Sequence, residues 1–338
     1  MKIRSKAPLR LGLAGGGTDL NIYCDKFGGY VLNSTISLYV HCTIEELDEK
    51  KIIFESTDLN QTVELDSKKK LKLNGEMDLY KGIYNRIVSD FVKKPLKFKI
   101  STYSDVPSGS GLGGSSTLVV AVIKAFVEWL NLPLGEYDIA KLAFEIERED
   151  IGIEGGSQDH YAATFGGFNF MEFYNKKRVI VNPLRIKNWI IDELEDSIVL
   201  YFTNITRSAS QIEKEKKNLI DDKKSLHAMH EIKKDAVLMK EALLKGNIGD
   251  FANILGKSWK AKKKVSSSVT NSEIDRIYDL ALANGAYSGK VSGAGGGGFM
   301  FFMVEPTKKL QLIRELNSQS GLVINFEFVK NGIRGWRI

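Results

Sequence analysis

Glycine is gathered in this chain rather than scattered along it. Nineteen of the 31 glycines fall in four short segments, residues 12–17, 109–114, 152–167 and 289–298. Proline is scarce, at 6 in 338 residues, so the clusters are neither a collagen repeat nor a disordered Pro/Gly tract. A glycine-rich loop exposes backbone N–H groups with no side chain in the way. Where such a loop opens a helix, the helix N-terminus adds partial positive charge, and a phosphate can sit there. The second cluster has this setting. Leu96, Phe98 and Ile100 alternate with Lys97, Lys99 and Ser101, the pattern of a half-buried strand. The loop Gly109-Ser110-Gly111-Leu112-Gly113-Gly114 follows, and residues 115–130, apolar on most faces, predict a buried helix. The hydroxyls of Ser110, Ser115 and Ser116 can reach phosphate oxygens or Mg²⁺.

Several function classes drop out. Gly109-x-Gly111-x-x-Gly114 and Gly293-x-Gly295-x-x-Gly298 both fit the dinucleotide fingerprint formally. The first lies about a hundred residues into the chain rather than after an opening strand, and the second runs into a strand where a helix is required. No Lys-Ser or Lys-Thr pair closes either loop, so neither is a Walker A motif. The net charge of +6, from 48 basic and 42 acidic side chains, suits small anionic ligands and is too weak to argue for nucleic acid. No run approaches the ~18 apolar residues of a membrane span. The basic start is followed by an apolar stretch broken by Arg10 and glycines, unlike a signal peptide. Two cysteines, Cys24 and Cys42, form neither a disulfide framework nor a metal motif, so a reducing cytoplasm is expected. His227 and His230 read as a surface pair on a charged helix.

Further elements are expected over 137–150 (helix), 198–202 (strand), 208–264 (two or three helices), 271–284 (helix ended by Gly285), 299–304 (strand), from Pro306 (helix) and 323–329 (closing strand). Strands and helices alternate in both halves, which argues an α+β or α/β architecture. A boundary near residue 185 divides the chain into regions 1–185 and 186–338.

Three separated motifs, in order, resemble the GHMP kinases, the group of galactokinase, homoserine kinase, mevalonate kinase and phosphomevalonate kinase. They are the stretch from Ala7-Pro8-Leu9-Arg10 to Gly16-Gly17-Thr18-Asp19, the loop Pro107-Ser108-Gly109-Ser110-Gly111-Leu112-Gly113-Gly114-Ser115-Ser116, and Lys290-Val291-Ser292-Gly293-Ala294-Gly295-Gly296-Gly297-Gly298. Within the group, Gly155-Gly156-Ser157-Gln158-Asp159-His160 and Trp259 followed by Lys262-Lys263 are most similar to bacterial kinases of D-glycero-D-manno-heptose 7-phosphate. The resemblance implies a two-domain α+β fold, with an N-terminal domain like ribosomal protein S5 domain 2 and a ferredoxin-like C-terminal domain. It places ATP and sugar in the cleft between them.

It also implies roles. Asp159 takes the position of the catalytic aspartate and would orient or accept the proton of the anomeric hydroxyl. Arg10 would lie beside it and stabilise the attacking oxygen. Pro107, Gly109, Ser110, Gly111, Leu112, Gly113, Gly114, Ser115 and Ser116 would bind ATP. Ser115 and Glu147 would hold Mg²⁺, with Ser116, Glu149 and Asp150 as competitors for those places. Gly16, Gly17, Thr18, Asp19, Gln158, Gly295 and Gly296 would line the sugar. Arg207 and Lys290 lead as cationic partners of the sugar's own phosphate, ahead of Lys262 and Lys263. The implied reaction is ATP- and Mg²⁺-dependent phosphorylation of heptose 7-phosphate at its anomeric hydroxyl, for GDP-heptose and surface glycans. The alternatives are a kinase of a non-phosphorylated sugar, of fucose or galactose type, and a silent ATP- and sugar-binding sensor; a dinucleotide-dependent oxidoreductase is remote. Partners are small molecules, with no nucleic acid or membrane, and a homodimer stays open.

Overall fold

The computed structural model describes residues 1–205 and 222–338. Its elements follow the apolar patterning closely in the middle of the chain. Helix α3 (Gly114–Leu130) buries Val119, Val120, Ala121, Val122 and Ile123 in one unbroken run, so it is enclosed on every side. The strand before it is β5 (Phe98–Ser104). Gly113, with φ +83°, forms the left-handed corner between loop and helix, and Thr117 Oγ1 donates to its carbonyl at 2.9 Å.

Two sheets organise the molecule. The larger has eight strands and runs β12 (Arg334–Arg337), β1 (Lys2–Ala14), β2 (Gly29–Glu46), β5, β3 (Lys51–Ser56), β4 (Gln61–Asp66), with β6 (Phe168–Tyr174) pairing β2 and β7 (Arg178–Pro183) pairing β6. All its pairings are antiparallel except β3 with β5. The smaller sheet is antiparallel, in the order β11 (Leu322–Ile324), β8 (Ile198–Phe202), β10 (Phe299–Val304), β9 (Ala286–Val291). One apolar core joins α3, the large sheet and part of the small one. A second, with Trp259, Ile274, Ile277, Phe302 and Leu316, fills the space behind the small sheet. The chain is thus α+β, as expected from the alternation of elements. Among the described residues, no helix is long and apolar enough to cross a membrane.

Two expectations change. The helix over 137–150 exists as α4 (Glu136–Phe144), but its last turns, Glu145–Asp150, wind wider, with Ile151 N bonding to Ile146 O. Wide turns of this kind recur at functional sites. The expected strand 323–329 pairs with the small sheet only over Leu322–Ile324. The chain then crosses to the large sheet, where Phe328 bridges Ile36 and packs on Phe168, ring centroids 4.7 Å apart. Its apolar alternation marks burial between the sheets, a feature that local sequence shares with a true strand. Residues 334–337 end the path by pairing with Ile3 to Lys6 of β1.

Candidate active site

Arg10 lies on β1 immediately after a register shift against β2, between Pro8 and Arg10. Irregularities of this kind re-aim side chains. Its guanidinium is 4% exposed and clamps Asp159 through two bonds, Nε to Oδ1 at 2.7 Å and Nη2 to Oδ2 at 2.8 Å. Its remaining nitrogen donates to Gly111 O at 2.7 Å and, more weakly, to Ser292 Oγ at 3.4 Å. One side chain therefore touches all three motifs. Asp159 sits in the first turn of α5 (Gln158–Phe165). Its carboxylate lies against the phosphate loop: a Cβ added to Gly113 would be 3.0 Å from Asp159 Cγ.

The loops meet backbone to backbone. A Cβ on Gly111 would come within 2.7 Å of Ser292 O, and Phe299 N donates to Ser110 O at 2.8 Å. Glycine at Gly111 is required by this close approach, not by flexibility.

Asp19 receives three hydrogen bonds, from Gly17 N at 3.1 Å, Gln158 N at 3.1 Å and Gln158 Nε2 at 3.0 Å. Burial raises its carboxyl above the usual range. The charge of Asp159 adds to this, while the hydrogen bond from Gln158 N pulls the other way. Lys290, on β9, donates to Gly12 O at 2.9 Å and Leu13 O at 3.4 Å. It is 4% exposed, and burial, then the neighbouring Lys262 and Arg10, pull its ammonium well below the usual lysine range. Lys262, on helix α8 (Ile248–Val265), bonds to Gly293 O. Together with Arg148, these groups line a cavity of about 260 Å³ between the sheets. Its apolar wall comes from Met229 and Ile232 of helix α7 (Lys223–Lys245), Val265 and Val269.

A second space, of about 350 Å³, opens on the other side of the phosphate loop, lined by Pro107, Ser108, Gly114, Ser115, Tyr80 and Leu118 among others. Glu147 sits behind the loop, wholly buried. It accepts from Ser115 Oγ, from Ser116 Oγ at 2.7 Å and from His160 Nε2 at 2.6 Å, and pairs with Arg148 Nη1 at 3.3 Å. Burial alone would raise its carboxyl, but the His160 contact, the charge of Arg148 and the Ser115 hydroxyl outweigh burial and hold it at about 2. Glu149 pairs instead with Lys177, and Asp150 with Arg86, so neither competes for this position.

The structure thus gathers Arg10, Asp159, Asp19, Gln158, Gly16, Gly17 and Lys290 around one cavity, and Pro107, Gly114 and Ser115 on the other space. Other expected contacts fall elsewhere. Thr18 is fully buried and its hydroxyl holds the turn, lying 2.8 Å from Gly15 O and 2.9 Å from Tyr30 O and donating to one of them at a time. Gly295 and Gly296 pack on Val269 behind the third motif, whose cavity-facing residues are Gly293 and Ala294. Lys290 is tied to backbone carbonyls between the sheets rather than extended towards a distal phosphate. Arg207 lies outside the described residues. His230 meets Tyr23 OH at 2.7 Å, and His227 pairs with Glu231. Among the described residues, no group of three or more His, Cys, Asp or Glu gathers as a metal site. The sequence reading passed over Arg148, Ser292, Met229 and Ile232. The adjacency of Arg148 to Glu147 and the place of Ser292 within the third motif were usable signals; Met229 and Ile232 are brought in by tertiary contacts alone.

A glycine loop opening a buried helix, backed by an Arg–Asp clamp in a cleft between two sheets, suits phosphoryl transfer, a reaction enzymes promote by positioning and charge neutralisation. Comparison with known proteins is specific. The GHMP kinases N terminal domain matches residues 78–167 and the GHMP kinases C terminal domain residues 239–321. A D-glycero-alpha-D-manno-heptose 7-phosphate kinase of Campylobacter jejuni is 67% identical over 336 residues, 99% of both chains. The crystal structure of a D-glycero-D-manno-heptose 1-phosphate kinase from Bacteroides thetaiotaomicron is 49% identical, with a TM-score of 0.87 over 99% of both chains. Lactococcus lactis galactokinase, solved with galactose, shares the fold at 20% identity, with a TM-score of 0.78 over 98% of this chain and 95% of its own. The chain belongs to the GHMP kinases. It is a kinase whose acceptor is a hydroxyl and whose phosphate donor, as in that family, is ATP.

Proposed function

We propose that this enzyme transfers the γ-phosphoryl group of ATP to the anomeric hydroxyl of D-glycero-D-manno-heptose 7-phosphate, giving the 1,7-bisphosphate. The observation that carries the reading is the Arg10–Asp159 clamp, which sits between the phosphate loop and a cavity of sugar size. Asp159 orients the acceptor hydroxyl and takes its proton as the oxygen attacks the γ-phosphorus. Arg10 fixes the carboxylate and faces the developing negative charge. The backbone N–H groups from Gly109 to Ser116 and the N-terminus of α3 cradle the phosphates, and the space beside Pro107 and Tyr80 takes the nucleoside.

Mg²⁺ suits this site. Ser115 Oγ and Glu147 Oε1 are hard oxygens already in contact at the loop, and so small a protein contribution is usual for an ion that keeps waters and binds phosphate oxygens. When bound there it would neutralise charge on the β- and γ-phosphates. In architecture, we take regions 1–185 and 186–338 as two lobes enclosing the cleft, with the correction that the closing segment belongs to the first: Phe328 bridges Ile36 and residues 334–337 pair with β1. Buried thiols at Cys24 and Cys42 suit work in the reducing cytoplasm, and the product would feed GDP-heptose for surface glycans.

The test measures ATP consumption by the purified enzyme with heptose 7-phosphate, galactose and fucose. Turnover of heptose 7-phosphate alone is expected; turnover of galactose or fucose alone would overturn the substrate assignment.

A further inference from the structure

Gln158 lies next to Asp159 in the first turn of α5 and contributes to the same cavity wall. Its Nε2 donates to Asp19 Oδ1 at 3.0 Å, and its backbone N to Asp19 Oδ2 at 3.1 Å. A carboxylate that already accepts from two backbone N–H groups presents lone pairs, so the amide must turn its NH₂ towards Asp19. The amide oxygen is then held the other way. Gln158 is 9% exposed, and its Oε1 is buried without a hydrogen-bond partner. The oxygen lies 3.8 Å from the position of a Cβ on Gly12, the amide nitrogen 3.8 Å from one on Gly16, and both glycines also line the cavity. A buried carbonyl left unpaired is costly, and a ligand donor removes the cost.

The anomeric carbon of a pyranose has two neighbours in the ring. One is the ring oxygen, which carries no hydrogen to donate. The other is C2, whose hydroxyl does. Of these two neighbours, only the C2 hydroxyl can donate to an acceptor on the cavity wall that Gln158 shares with Asp159. We propose that Gln158 Oε1, oriented by Asp19, accepts a hydrogen bond from the hydroxyl at C2 of the sugar and makes the enzyme select substrates that carry a donor there. The inference rests on the assignment of Asp159 to the anomeric hydroxyl of a heptose 7-phosphate. Glycine at 12 and 16 leaves room for the ring to approach the amide.

The test compares D-glycero-D-manno-heptose 7-phosphate with its 2-deoxy analogue, in wild type and in Gln158→Met, with sugar-phosphate binding measured by calorimetry alongside kcat/KM. In wild type the 2-deoxy sugar should lose about 10- to 100-fold in kcat/KM, the range for leaving one buried carbonyl unpaired. In Gln158→Met the two sugars should converge, because only the parent loses a hydrogen bond to the Oε1 position, while any loss from freeing Asp19 falls on both sugars and cancels in their ratio. The wild-type comparison needs no variant and stands even where Gln158→Met folds poorly. Equal use of both sugars by wild type, or an unchanged preference in folded Gln158→Met, overturns the inference and leaves the kinase assignment intact. No turnover of the parent sugar phosphate overturns that assignment and the inference with it.

Discussion

Gly113→Ala separates backbone strain from displacement of the proposed catalytic carboxylate, Asp159. Gly113 has φ +83°, and an added Cβ would stand 3.0 Å from Asp159 Cγ, 3.1 Å from its Oδ2 and 3.2 Å from its Cβ. Carbon contacts relax at about 3.5–4.0 Å, so the carboxyl must retreat by roughly 0.5–1 Å. It cannot retreat freely, since Arg10 holds both oxygens at 2.7 and 2.8 Å. Misplacing a reacting group by ~1 Å can cost ~100-fold, so kcat/KM should fall about 10- to 100-fold. The left-handed conformation itself costs alanine about 1–2 kcal/mol. Gly152→Ala supplies the control: its φ is +82°, with no atom within 4 Å of the added Cβ. Both variants should melt a few degrees early, about 2–4 °C per kcal/mol for domains of a few hundred residues. Only Gly113→Ala should lose most of its activity in a coupled ADP-release assay. Equal kcat/KM in the two variants would refute the steric argument and the placement of Asp159 at the reacting centre.

Other outcomes follow from the same contacts. Asp159→Ala should abolish turnover while ATP affinity, measured by calorimetry, changes less than about 3-fold, since the space proposed for the nucleoside lies across the loop. Arg10→Met removes one partner of a mostly buried pair and should cost about 3–5 kcal/mol in urea unfolding, more than Asp159→Asn, which keeps hydrogen-bonding capacity. Asp235 is buried on α7, and burial, with Glu231 adding and Lys257 opposing, raises its carboxyl from 3.8 to about 6. An acid with a raised folded value weakens the fold once it ionises. Asp235→Asn should therefore add about 1–3 kcal/mol at pH 7.5, a gain that shrinks as pH falls from 6 to 4 and is absent below. Denaturation curves across that range that stay parallel for both proteins would refute it.

What could be read from the sequence was local. The strand Phe299–Val304, the helix from Pro306 and the buried helix after the phosphate loop carry their signals in consecutive residues, and the structure places them as read. That Arg10 and Asp159 would lie side by side was legible because each stands in a motif with few alternatives, and the structure joins them through two hydrogen bonds. Features set by distant pairing were not. The wide turn at Glu145–Asp150 keeps a helical apolar face and differs only in its hydrogen bonds. Lys290 reads as a free cation in a glycine motif, yet its bonds to Gly12 and Leu13 depend on how the sheets meet. Met229 and Ile232 belong to a helix whose composition announces a charged surface, and only docking makes them a cavity wall.

The pairing of residues 334–337 with Ile3 to Lys6 bears on how the enzyme is made. On the ribosome, β1 emerges well before residues 334–337, and among the described residues its outer edge has no other partner until they are synthesised. Contacts between segments so far apart in the sequence form slowly, and an uncovered strand edge invites pairing with other chains. The strand that carries Arg10 is thus among the last to be fully secured. Interrupting residues 334–337 would be felt first in the yield of folded enzyme.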